Sequence, residues 1–489
     1  MPFHVRLALR GVRMSERPAD AWVVPDIGRS LLRERSAARG AQLRRCLPYH
    51  FCNHTLLVMK GGNQMKQVWR IGWSIWLVAA LVLTACAAPG QPAAPAAQAP
   101  AEAPSAQEAA PSAGGNVVRV GAIYPLTGDL AKLGEENKHG LEMAIEEINA
   151  AGGIKALGGA TIELVWGDSQ GKPEVGIGEV TRLAEQEKVV AIIGAYQSGV
   201  TVPATQEAER LKTPFVVSMA VSDKITERGF QYTFRICPKA SWYAKDQVSF
   251  LKDLKELAGL EVKRVALLHE DTDFGESTAA GQKQFLAEAG MEMVAEVKYS
   301  ASAADLTTEV AKIKASNPDA VLTVTYLNDS ILIAQAREAL GMQNIPFIDA
   351  AGGTVDPEFI KQLGSAAEGW FTEIEYTKYA TGAEELNNRF HEKYGSDITG
   401  NGAYAYQAGY VIADALERAA STDRDAVRAA LAATDMPSGP TMILPTDRLT
   451  FGPDGQNPSA PLFIVQVQDG ELIPVWPAAY AAAPVRLNQ

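Results

Sequence analysis

The sequence predicts an α/β protein of two parallel-sheet lobes, and three observations carry that prediction. Short apolar runs alternate with segments of helical period from Val117 to residue 374. Strands separated by single helices make right-handed βαβ units and a parallel sheet. The rhythm restarts after residue 240, giving two blocks of about 120 residues each, an ordinary domain size. With 489 residues, 47% of them hydrophobic, the chain has material for more than one core.

Each element follows from local pattern. Val117–Ile123 reads as a buried strand. Leu141, Ala144, Ile145 and Ile148 fall at helical spacing, and Gly152-Gly153 stops that helix. Ile162, Leu164 and Trp166 alternate as a strand. A helix over Glu174–Glu187, strand Val189–Ile193, a helix near Pro203–Leu211 and strand Pro214–Val217 complete the first block. The second block runs through strand Arg264–Leu268, helix Gly275–Ala289, strand Met293–Val297 and helix Ala304–Ala315. Strand Ala320–Val324, helix Ser330–Leu340 and short strands at Pro346–Ile348 and Trp370–Ile374 follow. Helices at Glu384–Tyr394, Ala403–Ala419 and Asp425–Ala432, then strands at Arg448–Phe451 and Leu462–Val467, form the C-terminal part.

Charge separates a short leader from a long body. Residues 1–85 carry 13 Lys and Arg against 4 Asp and Glu; from Cys86 onward 32 basic residues face 53 acidic ones. A body this acidic repels phosphate backbones, so no nucleic acid is expected as a partner. One long apolar run excludes a polytopic membrane protein. That run, Ile71–Leu83, follows Lys60, Lys66 and Arg70 and ends in Leu83-Thr84-Ala85-Cys86. Basic flank, short apolar core and small residues at a cut site make residues 59–85 a secretory signal. Leu-x-Ala-Cys resembles a bacterial lipobox, which implies that Cys86 is lipidated and becomes the mature N-terminus. Residues 1–58 precede a leader of normal length and are expected to be absent from the cellular protein. Residues 86–115, almost all Ala, Pro, Gln, Glu, Ser and Gly, form an extended tether. With Cys86 acylated, Cys237 has no partner, so no intramolecular disulfide is expected and Cys237 reads as a small core residue.

The body resembles the type I periplasmic binding proteins of the branched-chain amino acid class. The stretches that carry the resemblance are Val120-Gly-Ala-Ile-Tyr-Pro-Leu-Thr-Gly128, Ile148-Asn-Ala-Ala-Gly-Gly-Ile154 and Ile193-Gly-Ala-Tyr-Gln-Ser-Gly199. Phe274-Gly275, Ala366-Ala-Glu-Gly369, Ala403-Tyr-Ala-Tyr406 and Ala415-Leu-Glu-Arg418 extend it over residues 116–477. The resemblance implies two lobes joined by three crossovers, near residues 237–240, 375 and 440–446, that close over a ligand like a hinge. It thereby assigns 116–238 and 376–444 to lobe I and 239–375 and 445–477 to lobe II, with 478–489 as a tail. The family's disulfide in the first lobe is missing.

Open α/β sheets bind ligands at the carboxyl ends of their strands. Strand Val189–Ile193 empties into Gly194-Ala-Tyr-Gln-Ser-Gly199 just before a helix, a ready place for a carboxylate. The resemblance assigns Ser198 to that carboxylate; its alternative role is an ordinary helix cap. In Ser218-Met-Ala-Val-Ser222 the resemblance gives Ala220 a ligand-facing carbonyl and Ser222 a ligand-facing hydroxyl. Phe274 and Tyr326 match aromatics that pack on the ligand, the alternatives being a loop anchor and a rim residue. Relatives place an acid for the ligand's ammonium in the loop after the strand near Phe347, where this chain has Ala351. Asp349, two residues away, is the substitute; otherwise the ligand lacks an amine, because a buried unpaired ammonium is costly.

Other motifs read as structure. His269-Glu-Asp-Thr-Asp-Phe-Gly-Glu276 lacks the third Asp/Asn that calcium-loop spacing demands and is expected to be a strand-to-helix loop. Gly400-Asn-Gly-Ala-Tyr-Ala405 imitates a dinucleotide fingerprint but opens a helix with no strand before it. The expected function is therefore an extracytoplasmic solute-binding lipoprotein of an ABC importer. It captures a small amino acid or related carboxylate or amide and delivers it to a permease and its ATPase, with no catalysis, no metal and no cofactor. It touches the membrane through a lipid anchor alone. A lipid-tethered sensor and a two-lobed enzyme are the alternative readings.

Overall fold

In the computed structural model, residues 116–378, 383–438, 444 and 446–487 are described. The leader at 59–85, Cys86, the tether and residues 1–58 lie outside them. The first part of the described chain runs β1 (Val117–Tyr124), α1 (Ala131–Ala150), β2 (Thr161–Asp168), α2 (Pro173–Thr181), β3 (Ile192–Gly194), α3 (Ser198–Arg210), β4 (Phe215–Val217) and β5 (Thr233–Arg235). These five strands are parallel, in the order β2-β1-β3-β4-β5. All residues of β3, β4 and β5 are buried. Burial on both faces is what a parallel sheet covered by helices demands, and it explains runs that do not alternate.

The second part runs α4 (Ala240–Ala258), β6 (Arg264–Glu270), α5 (Asp273–Ala289), β7 (Glu292–Tyr299), α6 (Thr307–Ala315), β8 (Ala320–Val324), α7 (Leu327–Ala339), β9 (Phe347–Asp349), α8 (Pro357–Leu363) and β10 (Phe371–Ile374). The remainder holds α9 (Ala383–Tyr394), α10 (Gly400–Ala419), α11 (Arg424–Ala432), the hairpin strands β11 (Asp435–Pro437) and β12 (Arg448–Thr450), then β13 (Phe463–Gln468) and β14 (Glu471–Trp476). The second sheet has the order β14-β13-β10-β9-β8-β6-β7; β13 and β14 are its two antiparallel members. The α/β fold with two mainly parallel sheets is thus present.

The chain passes between the sheets three times: between β5 and α4, after β10, and between β12 and β13. The third passage comes later than residues 440–446. Phe451 packs tilted against Phe234 (centroids 5.3 Å apart), and the Gly455 carbonyl accepts the Arg235 amide, so residues 451–457 still run along β5. Between the second and third passages α10 returns to the first sheet and crosses α1 closely. A Cβ on Gly140 would sit 2.1 Å from the Gly402 carbonyl oxygen, so only glycine permits this approach. The tail is held as well, since the Gln466 side chain bonds both the amide and the carbonyl of Arg486.

Five elements went unread in the sequence: β5, α4, α8, β11 and β14. Helix α3 also begins at Ser198 rather than near Pro203, which lies inside it. Proline tolerates a first helical turn, and that preference pointed to the wrong residue. Cys237 is free and buried, and burial pushes its thiol up to about 11. Among the described residues no helix is long and apolar enough to cross a membrane.

Candidate functional site

A cavity of about 330 Å³ opens where the carboxyl ends of the two sheets face each other. The first sheet contributes Tyr196 and Ser198 after β3 and Met219, Ala220 and Val221 after β4. The second sheet contributes Phe274 after β6, Tyr326 after β8, Ala350–Gly352 after β9 and Ile374–Lys378 after β10. The start of α10, Thr399–Asn401, and Tyr243 of α4 complete much of the wall. The residues that follow β3, β4, β6, β8, β9 and β10 sit where strands end, so the sheets fix their positions.

Ser198 is the first residue of α3 and only 2% exposed. Gln197 precedes it without a side-chain cap; the Val200 and Thr201 amides turn back to the Gln197 carbonyl, and the amides of Ser198 and Gly199 present the positive end of the helix. The Ser198 hydroxyl accepts the Ser222 amide at 3.1 Å and ties the loops after β3 and β4 together. Tyr196 holds φ +77° in this loop, and Ala351 holds φ +60° across the cavity. Left-handed conformations in non-glycine residues cost energy and cluster at functional sites.

Ala220 lines the cavity, but its carbonyl accepts Arg235 at 3.2 Å. Ser222 is fully buried behind it and does not line the cavity; its carbonyl accepts Arg235 at 2.7 Å, and its hydroxyl has no partner among the described residues. Arg235 is itself fully buried and also bonds Thr226 and Gln456. It holds the β4 loop from behind, a role the sequence reading did not give it.

Phe274 and Tyr326 meet across the second-lobe wall with ring centroids 5.6 Å apart. The acidic loop before Phe274 is a strand-to-helix turn: the Glu270 carboxylate accepts the amides of Thr272 and Gly275, and Thr272 caps α5. Among the described residues no group of three His, Cys, Asp or Glu side chains is placed to hold a metal ion.

Asp349 is a correction. Its side chain is fully buried outside the cavity lining, where its carboxyl accepts the hydroxyls of Thr323 (2.8 Å), Thr325 (2.9 Å) and Thr354 (2.9 Å). Desolvation pushes it up to about 8. A group turned into three threonines is not a substitute for the acid missing at Ala351. The loop above it is packed by glycine: a Cβ on Gly352 would lie 1.9 Å from the Thr325 carbonyl oxygen.

The acid that does line the cavity is Glu375, just after β10, 4% exposed and hydrogen-bonded to the Tyr243 hydroxyl. Desolvation pushes it up to about 7. Its signal was in the sequence, because Trp370-Phe-Thr-Glu-Ile-Glu-Tyr376 places two carboxylates in and just past a strand whose neighbours are aromatic and aliphatic. Lys378, also on the lining, pairs with Asp397 at 3.1 Å.

This cleft between two parallel sheets has counterparts. A family model described as periplasmic binding protein matches residues 117–471. The chain belongs to the periplasmic binding protein family. Among curated relatives of this binding protein, Leu/Ile/Val-binding protein homolog 7 of Brucella suis biovar 1 is 34% identical over 382 residues, 76% of this chain and 94% of the relative. A leucine-binding protein from Thermotoga maritima superposes with TM-score 0.66 at 23% identity, covering 73% of this chain and 98% of its own. A solute-binding protein of an ABC transporter from Rhodopseudomonas palustris, solved with 3,4-dihydroxybenzoic acid, superposes with TM-score 0.64 at 22% identity, covering 73% and 95%. The two structures share the type I fold of two lobes around a cleft.

Proposed function

We propose that this periplasmic binding protein is the solute-binding lipoprotein of an ABC importer. It captures a small, largely apolar carboxylate such as an amino acid and hands it to a permease driven by an ATPase. One observation carries the reading: a cavity between two lobes, walled by Tyr196, Phe274 and Tyr326, with the uncapped start of α3 on one side. Aromatic walls exclude water from an apolar side chain, and free amides with the Ser198 hydroxyl complement a carboxylate. The names of the relatives support the same class, since they concern leucine, isoleucine and valine or an aromatic acid. The ligand contacts are Ser198, Phe274 and Tyr326 by side chain and the β4 loop at Ala220 by backbone, with Ser222 and Arg235 behind it.

Ser198→Ala tests the carboxylate site. It removes one charge-assisted hydrogen bond in a closed cleft, and leucine affinity by titration calorimetry should fall about ten- to a hundredfold. The empty protein loses the acceptor of the Ser222 amide and should become less stable by about 1 kcal/mol. Leucine binding unchanged in the variant would make Ser198 a loop tie and nothing more.

The lipid anchor rests on Leu83-Thr-Ala-Cys86 and the tether behind it. In cells, Cys86→Ser should move the protein from the membrane pellet to the soluble fraction. A variant that still pellets is held by something other than acyl chains.

A further inference from the structure

We propose that Glu375 is the counter-charge for an ammonium group, so that the cleft selects an amine-bearing solute over its des-amino analogue. The inference rests on the binding reading above and narrows it to one ligand class. Glu375 is more than nine-tenths buried yet lines the cavity. One carboxylate oxygen, Oε1, accepts the Tyr243 hydroxyl. No side chain among the described residues donates to the other, Oε2; besides Tyr243, the carboxylate's one hydrogen-bonding neighbour is its own backbone amide. Beside it stands Gly400, where a Cβ would lie 3.0 Å from Oε2, so glycine at the start of α10 leaves room at that oxygen.

Lys378 on the cavity wall pairs with Asp397 at 3.1 Å, and the groups that act electrostatically on Glu375 supply no cation. They are Tyr243 from α4, Tyr404 from α10, Tyr196 after β3, Cys237 before α4 and Glu373 on β10. Burial raises the pKa of every one of them, and none of the five can carry a positive charge. A buried carboxylate with an open oxygen and no cationic partner costs desolvation energy unless a ligand brings the opposite charge. The Ala351 position across the cavity offers no acid of its own. Glu375 reaches the same cavity from a different strand end, and an aromatic lining suits the apolar remainder of such an amine.

Leucine, 4-methylpentanoate and benzoate are the probes, each titrated into the full-length protein and into Glu375→Gln, which keeps an oxygen for Tyr243. The wild type should bind leucine at least about tenfold more tightly than 4-methylpentanoate, and the variant should lose about ten- to a hundredfold for leucine alone. A second readout needs no variant. Because desolvation holds Glu375 near 7, wild-type leucine affinity should fall severalfold from pH 8 to pH 6 as the carboxylate protonates, with 4-methylpentanoate showing no such fall. Equal losses for leucine and 4-methylpentanoate in the variant, or a flat leucine profile, would overturn the assignment. Tight 4-methylpentanoate or benzoate binding by the wild type would overturn it while leaving the cleft's carboxylate site intact. Failure of all three probes to bind the wild type would overturn both.

Discussion

Arg235→Met should destabilise the empty protein by about 3 kcal/mol and weaken leucine binding at the same time. Arg235 ends β5 at the edge of the first sheet with its guanidinium fully buried. It donates to Gln456 (2.6 Å), to the carbonyls of Ala220 (3.2 Å) and Ser222 (2.7 Å), and to Thr226 (3.0 Å). No carboxylate pairs with it among the described residues; burial lowers its pKa, and carbonyl and hydroxyl dipoles hold the charge. Methionine keeps the length of the stem but leaves four buried acceptors short of a donor. Each orphaned acceptor costs about 1–3 kcal/mol, and relief of the cation's own desolvation offsets part of the sum. Weak second donors soften the loss: the Cys237 thiol lies 3.6 Å from the Ala220 carbonyl, and the Ile225 amide 3.1 Å from that of Ser222. The affected loop, Met219–Val221, lines the cavity, so stability and affinity move together. Urea unfolding of the empty protein and calorimetry with leucine measure both. A variant as stable as the wild type would mean that water or a shifted loop replaces the guanidinium at little cost.

Legibility in the sequence divided along physical lines. Strands buried on both faces, such as β4 and β8, announce themselves as unbroken apolar runs. Strand β5 did not, because three residues ending in a buried arginine look like a surface loop; only the bonds it donates to Gln456 and to the carbonyls of the loop after β4 explain the charge. Strand β14 contains Pro474, which argues against a strand interior, yet β14 is the edge of its sheet, where a missing donor is tolerated. Helix α4 buries Tyr243, Ala244, Val248, Leu251 and Leu254 at helical spacing, a pattern the sequence carries as plainly as that of α1. At the site, Ser198, Ala220, Phe274 and Tyr326 reach the cavity, because a residue just past a strand's carboxyl end has little choice of direction. Asp349 and Glu375 show where local reasoning stops. Both are acids at strand ends; one meets three threonines and the other meets the cavity, and that difference lies in neighbours distant in sequence.

The empty protein should be most stable in mildly acid solution and lose stability steadily from pH 5.5 to pH 8. Desolvation raises Asp349 to about 8, Asp329 and Glu375 to about 7, and Glu373 well above its ordinary value. In the unfolded chain all four ionise near pH 4. Above that point the unfolded state releases protons that the folded state retains, so the folded state binds more protons and loses stability as pH rises, until each folded group ionises. One fully raised group contributes about 1.4 kcal/mol for every pH unit below its folded value. Carboxylates held low, such as Glu358 at about 2, finish titrating below this window and leave the slope unchanged. His139, lowered by partial burial, tilts the curve the other way, but it is a single half-exposed group. Asp349→Asn isolates the largest share. An amide can accept from two of the threonine hydroxyls and donate to the third, which rotates to receive it. The variant should therefore keep its packing and show a visibly flatter stability profile between pH 6 and 8, by urea unfolding at each pH. Parallel profiles for wild type and variant would mean that Asp349 is ionised throughout, with its three threonines acting as a charge-stabilising cradle.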